Sequence, residues 1–266
     1  MRPLRFATCL APNVKPMYQF VADEVGRRLG LPTELVECDD YARFDTAEED
    51  DVCFVCSLPY VLLSRRREAP VQPIAAPVLE GDRYEDRPIY FSDVIVRADS
   101  PFQSFEDLRG SSWAFNEPMS HSGYGITRYH LVRLGETNGF FTKVVETGFH
   151  ERSIELVRAG KVDASAIDSQ VLEVAVRDRP ELREELRVVE TFGPSTIQPV
   201  TVARRLPDPL REDIQSAILD LGDDQAGRES LQLGLVRRFA PVDDSSYDDI
   251  REMLAAVEEA EFTTLR

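Results

Sequence analysis

The chain has 266 residues, of which 42% are hydrophobic and 30% are charged, and this composition is typical of a globular protein with a sizeable core. Its 48 acidic and 31 basic side chains give a formal net charge of −17, which argues against general binding to nucleic acid or to an anionic membrane. We expect an anionic ligand to be bound only by a local arrangement of donors.

The N-terminal segment has a basic start, but its apolar run ends at Pro12, and it lacks the core and cleavage site of a signal peptide. Long apolar stretches such as residues 52–63 fall short of the roughly 20 residues that a membrane-spanning helix requires. The sequence as written therefore predicts a cytoplasmic protein without membrane insertion. If a leader has been removed, we expect a periplasmic or extracellular location.

All four cysteines lie in the first quarter of the chain, at positions 9, 38, 53 and 56. Cys53 and Cys56 have the CxxC spacing of redox and zinc sites, but their surroundings are apolar and no second close pair or histidine lies nearby. We expect these two cysteines to be buried free thiols.

Apolar periodicity, capping residues and turn residues predict alternating strands and helices along the chain. In the first region, strands are predicted at residues 4–10, 33–38, 51–56, 74–78 and 89–96, with helices at 16–29 and 59–66. The second region contains predicted strands at 113–116, 141–147 and 162–168, with helices at 104–108, 120–134 and 150–159 and a further helix from Ser169. Beyond an extended segment at 193–199, we predict a strand at 200–203 and helices at 208–221 and 247–261.

Strands alternating with helices predict an α/β fold with mixed, mostly parallel sheets flanked by helices. Because extended segments bound the second region on both sides, we expect two lobes joined by two crossing segments. Lobe 1 is predicted to comprise residues 1–92 and 199–266, and lobe 2 residues 93–198. A ligand cleft is expected between the lobes, where strand ends and helix N-termini converge.

Several motifs occur along nearly the whole chain in a recognisable order. They are Ser57-Leu58-Pro59-Tyr60, residues 90–96, residues 104–110 followed by Trp113-Ala114-Phe115-Asn116, Ser120-His121-Ser122-Gly123-Tyr124, Gly148-Phe149-His150-Glu151, Gly160-Lys161-Val162-Asp163, and Gly193-Pro194 near Pro199. Their order and spacing resemble the phosphate/phosphonate-type substrate-binding proteins of ABC transporters. The resemblance implies a type II periplasmic-binding fold with two hinge crossings that closes on a small ligand.

The segment Ser120-His121-Ser122-Gly123 lies between a predicted strand and a predicted helix. Two hydroxyls and several backbone N–H groups are expected to gather at the positive end of the helix dipole, and such an arrangement binds oxyanions without lysine. Gly123 allows the backbone to approach a ligand closely. The alternative that remains open is that Ser120 or Ser122 only caps the helix.

The resemblance also implies ligand contacts from His150, Asp168 and aromatic residues. His150 lies at another predicted strand-to-helix junction, and its titration predicts a ligand affinity that varies between pH 5 and 8. Asp168 ends a predicted buried strand, where a carboxylate accepts a hydrogen bond from a protonated oxyanion and repels a fully ionised one. For each residue, a purely structural role is the alternative.

On the first lobe, Ser57 and Tyr60 lie at a predicted helix start, and Tyr90 lies in the first crossing segment. The resemblance implies that they line the ligand pocket, with core packing as the alternative for the tyrosines. Tyr41 is a further candidate for the cleft, although the acidic runs around it are typical of a solvated loop.

We therefore predict a protein that closes on phosphate, a phosphonate or a phosphate ester, as the substrate-binding component of an ABC-type uptake system or as a related sensor. An ABC permease is the implied partner, no cofactor or metal is expected, and the protein is predicted to be a monomer. The alternative is a cytoplasmic enzyme on the same fold, similar to those of thiamine-precursor or menaquinone pathways, with His121, His150 and Asp168 as acid-base groups. A metal site built from these three residues is a third possibility.

Overall fold

The computed structural model describes residues 2–38 and 48–265, and the chain divides into two compact units. Unit 1 comprises Met1–Ile89 and Thr196–Asp248, and unit 2 comprises Tyr90–Ser195 and Asp249–Arg266. Tyr41 lies outside the described residues.

Eleven strands are found within the described residues. They are β1 (Leu4–Thr8), β2 (Thr33–Glu37), β3 (Val52–Phe54), β4 (Val71–Leu79), β5 (Ile89–Arg97), β6 (Ser112–Phe115), β7 (Lys143–Glu146), β8 (Ala164–Asp168), β9 (Leu186–Thr196), β10 (Val200–Ala203) and β11 (Val236–Pro241). The α-helices in the same part of the chain are α1 (Lys15–Leu29), α2 (Ser57–Ser64), α3 (Ile126–Arg133), α4 (His150–Arg158), α5 (Ser169–Asp178), α6 (Leu182–Glu185), α7 (Asp208–Leu219), α8 (Gln225–Leu231) and α9 (Asp248–Glu259).

Unit 1 is built on a six-stranded mixed sheet with the order β11-β4-β10-β3-β1-β2. β1 pairs in parallel with β2 and β3, whereas β10 runs antiparallel to both β3 and β4. Helix α1 connects β1 to β2 and ends at Gly30, whose φ of 66° is the left-handed cap that glycine adopts without strain.

The ends of β1 and β2 are joined by a disulfide between Cys9 and Cys38, whose Cα atoms are 4.9 Å apart. The sequence did not predict this pairing, which the parallel register of β1 and β2 makes possible by aligning Thr8 with Glu37. Cys53 and Cys56 are buried free thiols, so the prediction for that pair is confirmed.

Unit 2 is built on a five-stranded sheet with the order β7-β6-β8-β5-β9. β6 is parallel to β7 and β8, and β5 is antiparallel to β8. Aromatic and aliphatic side chains from strands, helices and loops fill its core around the fully buried Trp113.

The C-terminal segment differs from the predicted boundary, which placed residues 199–266 in lobe 1. Residues Asp249–Arg266 belong to unit 2. The physical reason is that Val257, Phe262 and Leu265 are buried in the core of unit 2, so the end of the chain completes that core.

Candidate functional site

The segment that follows β6 forms the centre of the candidate site. Ser120 is the N-cap of a π-helical turn, His121–Gly125, and α3 continues directly from this turn. The Ser120 hydroxyl accepts a hydrogen bond from the Gly123 backbone N–H at 3.1 Å, so the expected cap is present. The predicted single helix at 120–134 is therefore a π-helical turn followed by an α-helix, and the N-terminal N–H groups of that turn have no partner within the helix.

The hydroxyls of this segment connect to a histidine on a second element. Ser120 Oγ lies 3.4 Å from Ser122 Oγ, and Ser122 Oγ lies 3.0 Å from Nε2 of His150, the first residue of α4. His150 is 5% exposed, and its Nδ1 atom is buried without a hydrogen-bond partner in the described part of the chain. The structure thus brings together the serine motif and His150, which the sequence placed at separate strand-to-helix junctions.

His121 faces a different part of unit 2. Its Nε2 atom lies 3.0 Å from the hydroxyl oxygen of Ser195, a buried residue of β9. The His121 ring also lies beside the Tyr90 ring, with centroids 6.3 Å apart. Tyr90 is buried on β5, so these three side chains form a buried cluster at the start of the π-helical turn, to which His121 belongs.

Burial lowers the pKa of both histidines to about 3, because desolvation penalises the imidazolium form. Both rings are therefore neutral at physiological pH. This result differs from the expectation that His150 titrates between pH 5 and 8. As neutral rings, His121 and His150 offer a hydrogen-bond donor at one nitrogen and an acceptor at the other.

Asp168 ends β8 and is the N-cap of α5, since its Oδ1 atom accepts hydrogen bonds from the backbone N–H groups of Gln170 at 2.8 Å and Val171 at 3.4 Å. Ser169, where the sequence predicts this helix to begin, is its first residue and accepts a hydrogen bond from the Phe91 backbone N–H at 3.1 Å. Asp168 is the cap because the residue before the first helical position is the one that reaches the free N–H groups.

The pKa of Asp168 is raised to about 7, mainly because burial penalises the carboxylate. Its two backbone hydrogen bonds oppose this effect, while the charges of Asp93 and Glu173 reinforce it. Asp168 is therefore the group of the candidate site whose charge changes near neutral pH.

Asn116 also belongs to this cluster, although the sequence did not predict it as a site residue. It follows β6, is 7% exposed, and has a buried Oδ1 atom without a hydrogen-bond partner among the described residues. A Cβ atom added at Gly123 would lie 2.0 Å from this oxygen and 3.2 Å from Cε1 of His150. Gly123 is thus required for close packing against Asn116. An asparagine at the end of a strand, followed by a glycine at the start of the next helix, is the sequence pattern that could have indicated this contact.

The remaining candidates, Ser57 and Tyr60, lie in α2 of unit 1, and both are buried. Among the residues that the structure describes, the Ser57 hydroxyl oxygen has no hydrogen-bond partner, so this polar group at the start of α2 is unsatisfied there. The Tyr60 hydroxyl donates to the carboxylate of Asp244, and its ring packs edge-on against Tyr247 with centroids 4.9 Å apart. Its hydroxyl therefore already has a structural partner within unit 1.

Within the described residues, no group of three or more His, Cys, Asp or Glu side chains is placed to hold a metal ion. His121, His150 and Asp168 direct their polar atoms to different partners, which removes the basis for the metal site considered above. The same part of the chain contains no helix that is long and apolar enough to cross a membrane.

Residues 9–247 match the family described as "ABC transporter, phosphonate, periplasmic substrate-binding protein". The chain belongs to this family. The assignment confirms the predicted class, a substrate-binding protein that has a small-molecule ligand and a permease partner, and it does not support the enzyme alternative.

Solved structures of phosphonate-family proteins have the same fold. A binding protein component of an ABC phosphonate transporter from Pseudomonas aeruginosa has a TM-score of 0.85 at 17% identity, covering 98% of this chain and 88% of that chain. PhnD1 from Prochlorococcus marinus, in complex with methylphosphonate, has a TM-score of 0.82 at 18% identity, covering 96% of this chain and 98% of that chain.

A protein from Xanthomonas citri, solved bound to ATP, has a TM-score of 0.70 at 19% identity, and the match covers 98% of both chains. Together with the two phosphonate-family structures, it confirms the predicted two-lobed type II periplasmic-binding fold for this substrate-binding protein.

Proposed function

We propose that this chain binds the oxyanion of a phosphonate or of phosphate, and that residues 120–123 together with His150 form its anion site. The observation that carries the proposal is the buried hydrogen-bonded chain Ser120–Ser122–His150 at the N-terminal end of the continuous π-helical turn and α3. Helix N-termini attract anions through free N–H groups and through the helix dipole.

The Ser122–His150 pair offers a donor to the ligand in either histidine tautomer. If Nε2–H donates to Ser122 Oγ, the serine hydrogen remains for a phosphoryl oxygen. If Nε2 accepts the serine hydrogen, Nδ1 carries the proton, and this atom is buried without a partner. A neutral pair thus supplies a hydrogen bond without a cationic side chain, which is consistent with a chain that contains only three lysines.

Asp168 is proposed to select the protonation state of the ligand. Below its raised pKa of about 7 the carboxyl is neutral and donates to an oxyanion, whereas above that pH it accepts from a protonated phosphoryl oxygen or from a ligand ammonium. His121 and Tyr90 are proposed to contact the ligand on unit 2, and Ser57 and Tyr60 on unit 1. For Tyr60 the contact is with the ring, because its hydroxyl bonds Asp244.

In this proposal the chain is the monomeric substrate-binding component of an ABC-type uptake system and acts outside the cytoplasm. Family membership supports the transport role. The Cys9–Cys38 disulfide supports an oxidising compartment, because structural disulfides persist in the periplasm and outside cells and are rare in the cytosol. Light scattering after size-exclusion chromatography tests the monomer.

Calorimetry with methylphosphonate, aminoethylphosphonate, phosphate and sulfate tests the anion site. A hydrogen bond to a charged group contributes about 1.5–3 kcal/mol. Ser122→Ala and His150→Ala are therefore each expected to lower the affinity for the preferred oxyanion by roughly 10- to 100-fold. Ser230→Ala, a change at a half-buried serine of α8 in unit 1, is the matched control and should leave affinity unchanged.

Unchanged affinity in both Ser122→Ala and His150→Ala would place the oxyanion elsewhere. Absence of binding by all four anions to the unaltered protein would refute the proposed ligand class. Melting temperatures of each variant without ligand separate lost contacts from lost structure.

A further inference from the structure

Unit 1 contains a basic groove in a molecule whose overall charge is strongly negative. The groove has a volume of roughly 770 Å³ and lies between the segment after α2 and the segment after β10. We name it the arginine groove. It is lined by Ser64, Arg66, Arg67, Glu68, Ala69, Pro70, Arg204 and Arg205.

All four arginines of the arginine groove are exposed, and among the lining side chains that the structure describes, Glu68 is the single acidic one. Arg205 pairs at 2.7 Å with Asp51, a carboxylate that is 3% exposed and is also paired with Arg2. The groove therefore has excess positive charge in a chain whose formal net charge is −17.

Arg204 is held in place by neutral acceptors. Its Nε donates to the Val71 carbonyl at 3.3 Å, and one terminal nitrogen donates to Gln72 Oε1 at 3.0 Å. Within residues 2–38 and 48–265, neither Arg204 nor Arg67 forms an ion pair with a carboxylate. Two guanidinium groups of the arginine groove thus have no compensating carboxylate among the described residues, and one of the two, Arg204, is preoriented.

We propose that the arginine groove docks an extended acidic peptide segment of a protein partner. Guanidinium groups match carboxylates in a bidentate geometry, and this pairing favours arginine over lysine at such sites. Ala69 and Pro70, which also line the groove, offer apolar contacts to a peptide chain. Glu68 disfavours a dense polyanion, but it can accept a hydrogen bond from a peptide N–H.

A membrane surface or a nucleic acid fits the arginine groove less well. Both present negative charge over an area much larger than the groove, so they would also face other parts of a chain whose formal net charge is −17. Electrostatic attraction between the arginines and a negatively charged partner acts only at close range, because the Debye length at physiological ionic strength is about 8 Å. A single acidic segment places its charges only where the arginines are.

The test measures binding of a fluorescein-labelled hexaglutamate peptide to the full chain by fluorescence anisotropy, at low and at physiological salt. We expect saturable binding that weakens with salt, and at least a tenfold loss in Arg67→Gln/Arg204→Gln. The control is Arg87→Gln/Arg237→Gln, which removes the same charge from two exposed unit 1 arginines that pair with Glu85 and Asp86. The control should bind the peptide as the unaltered chain does.

Equal losses in the two double variants would overturn the proposal, since net charge alone would then explain binding. Competition gives a second test. The proposal is also overturned if tripolyphosphate or phosphatidylglycerol vesicles displace the labelled peptide at a lower concentration of negative charge than unlabelled hexaglutamate does. Arg67→Gln alone, at a residue with no ion pair in the described chain, should still weaken binding if the double variant misfolds. Oxyanion affinity, measured on the same samples, is expected to stay unchanged and is a separate test of the anion site.

Discussion

Gly123→Ala tests whether close packing at the π-helical turn holds the anion site together. The added Cβ would lie 2.0 Å from Asn116 Oδ1, whereas ordinary contact begins near 3.4 Å, so the oxygen must move by about 1.4 Å. Asn116 is buried, and its Cγ would lie only 3.1 Å from the new carbon, so rotating the amide does not remove the overlap.

Overpacking of this kind costs about 1–3 kcal/mol, while replacing glycine by alanine returns about 0.4–1 kcal/mol by restricting the unfolded chain. We therefore expect a net loss of about 1–2 kcal/mol in the free energy of unfolding, measured by urea denaturation. Because Cε1 of His150 would lie 3.2 Å from the new carbon, the Ser122–His150 pair shifts as well. Oxyanion affinity should fall by at least roughly tenfold, since tenfold corresponds to about 1.4 kcal/mol.

Gly222→Ala is the matched control, because its Cβ would meet the Arg237 carbonyl at 3.4 Å, an ordinary contact. It should leave stability unchanged or slightly raised and leave oxyanion affinity unaltered. Asn116→Ala combined with Gly123→Ala should recover part of the lost stability by removing the overlapping oxygen. Normal stability and affinity in Gly123→Ala, or no recovery in the double variant, would refute the packing argument.

Two further predictions concern pH and the disulfide. In the unfolded chain the histidines take up protons below about pH 6.5, whereas the buried His121 and His150 of the folded protein stay neutral down to about pH 3. The free energy of unfolding therefore decreases as pH falls from about 6.5 to about 3. In the folded protein Asp168 keeps its proton up to about pH 7, so its contribution to the free energy of unfolding is lost as pH rises from about 4 to 7. Asp168→Asn removes this loss, so in urea titrations the free energy of unfolding should rise more steeply between pH 4.5 and 6.5. An unchanged slope would contradict the raised pKa of Asp168. Reducing the Cys9–Cys38 disulfide, or replacing both cysteines by serine, should lower the free energy of unfolding by about 2–4 kcal/mol. Equal stability of the oxidised and reduced proteins would show that the disulfide contributes nothing.

The sequence predicted those features that depend on local chemistry. The first helix ends at residue 29 as predicted, with the left-handed Gly30 as its cap, and Ser120 caps the turn that follows it, as a serine before a helix should. α8 and β11 were missed, because α8 is short and largely polar and because Arg237 and Arg238 obscure the apolar pattern of β11.

Features that depend on distant residues could not be read from the sequence. Tyr60 and Asp244 are 184 positions apart, so nothing local assigns the tyrosine hydroxyl to that carboxylate. The neutrality of His150 depends on burial by the complete unit, and motif spacing gives no measure of that burial. The π-helical turn was likewise hidden, because its residues are equally compatible with an ordinary helix start.

The strand order of unit 1 constrains when this protein can fold during synthesis. β10 lies between β3 and β4 in the sheet, although the strands from β5 to β9 precede it in the chain. A nascent chain that ends before residue 200 therefore has a sheet with its central strand missing and two unpaired edges. The core of unit 2 is likewise incomplete until Phe262 and Leu265 have been synthesised. Neither unit is complete until these C-terminal residues have been synthesised, so the earlier part of the growing chain stays accessible to chaperones and proteases until then.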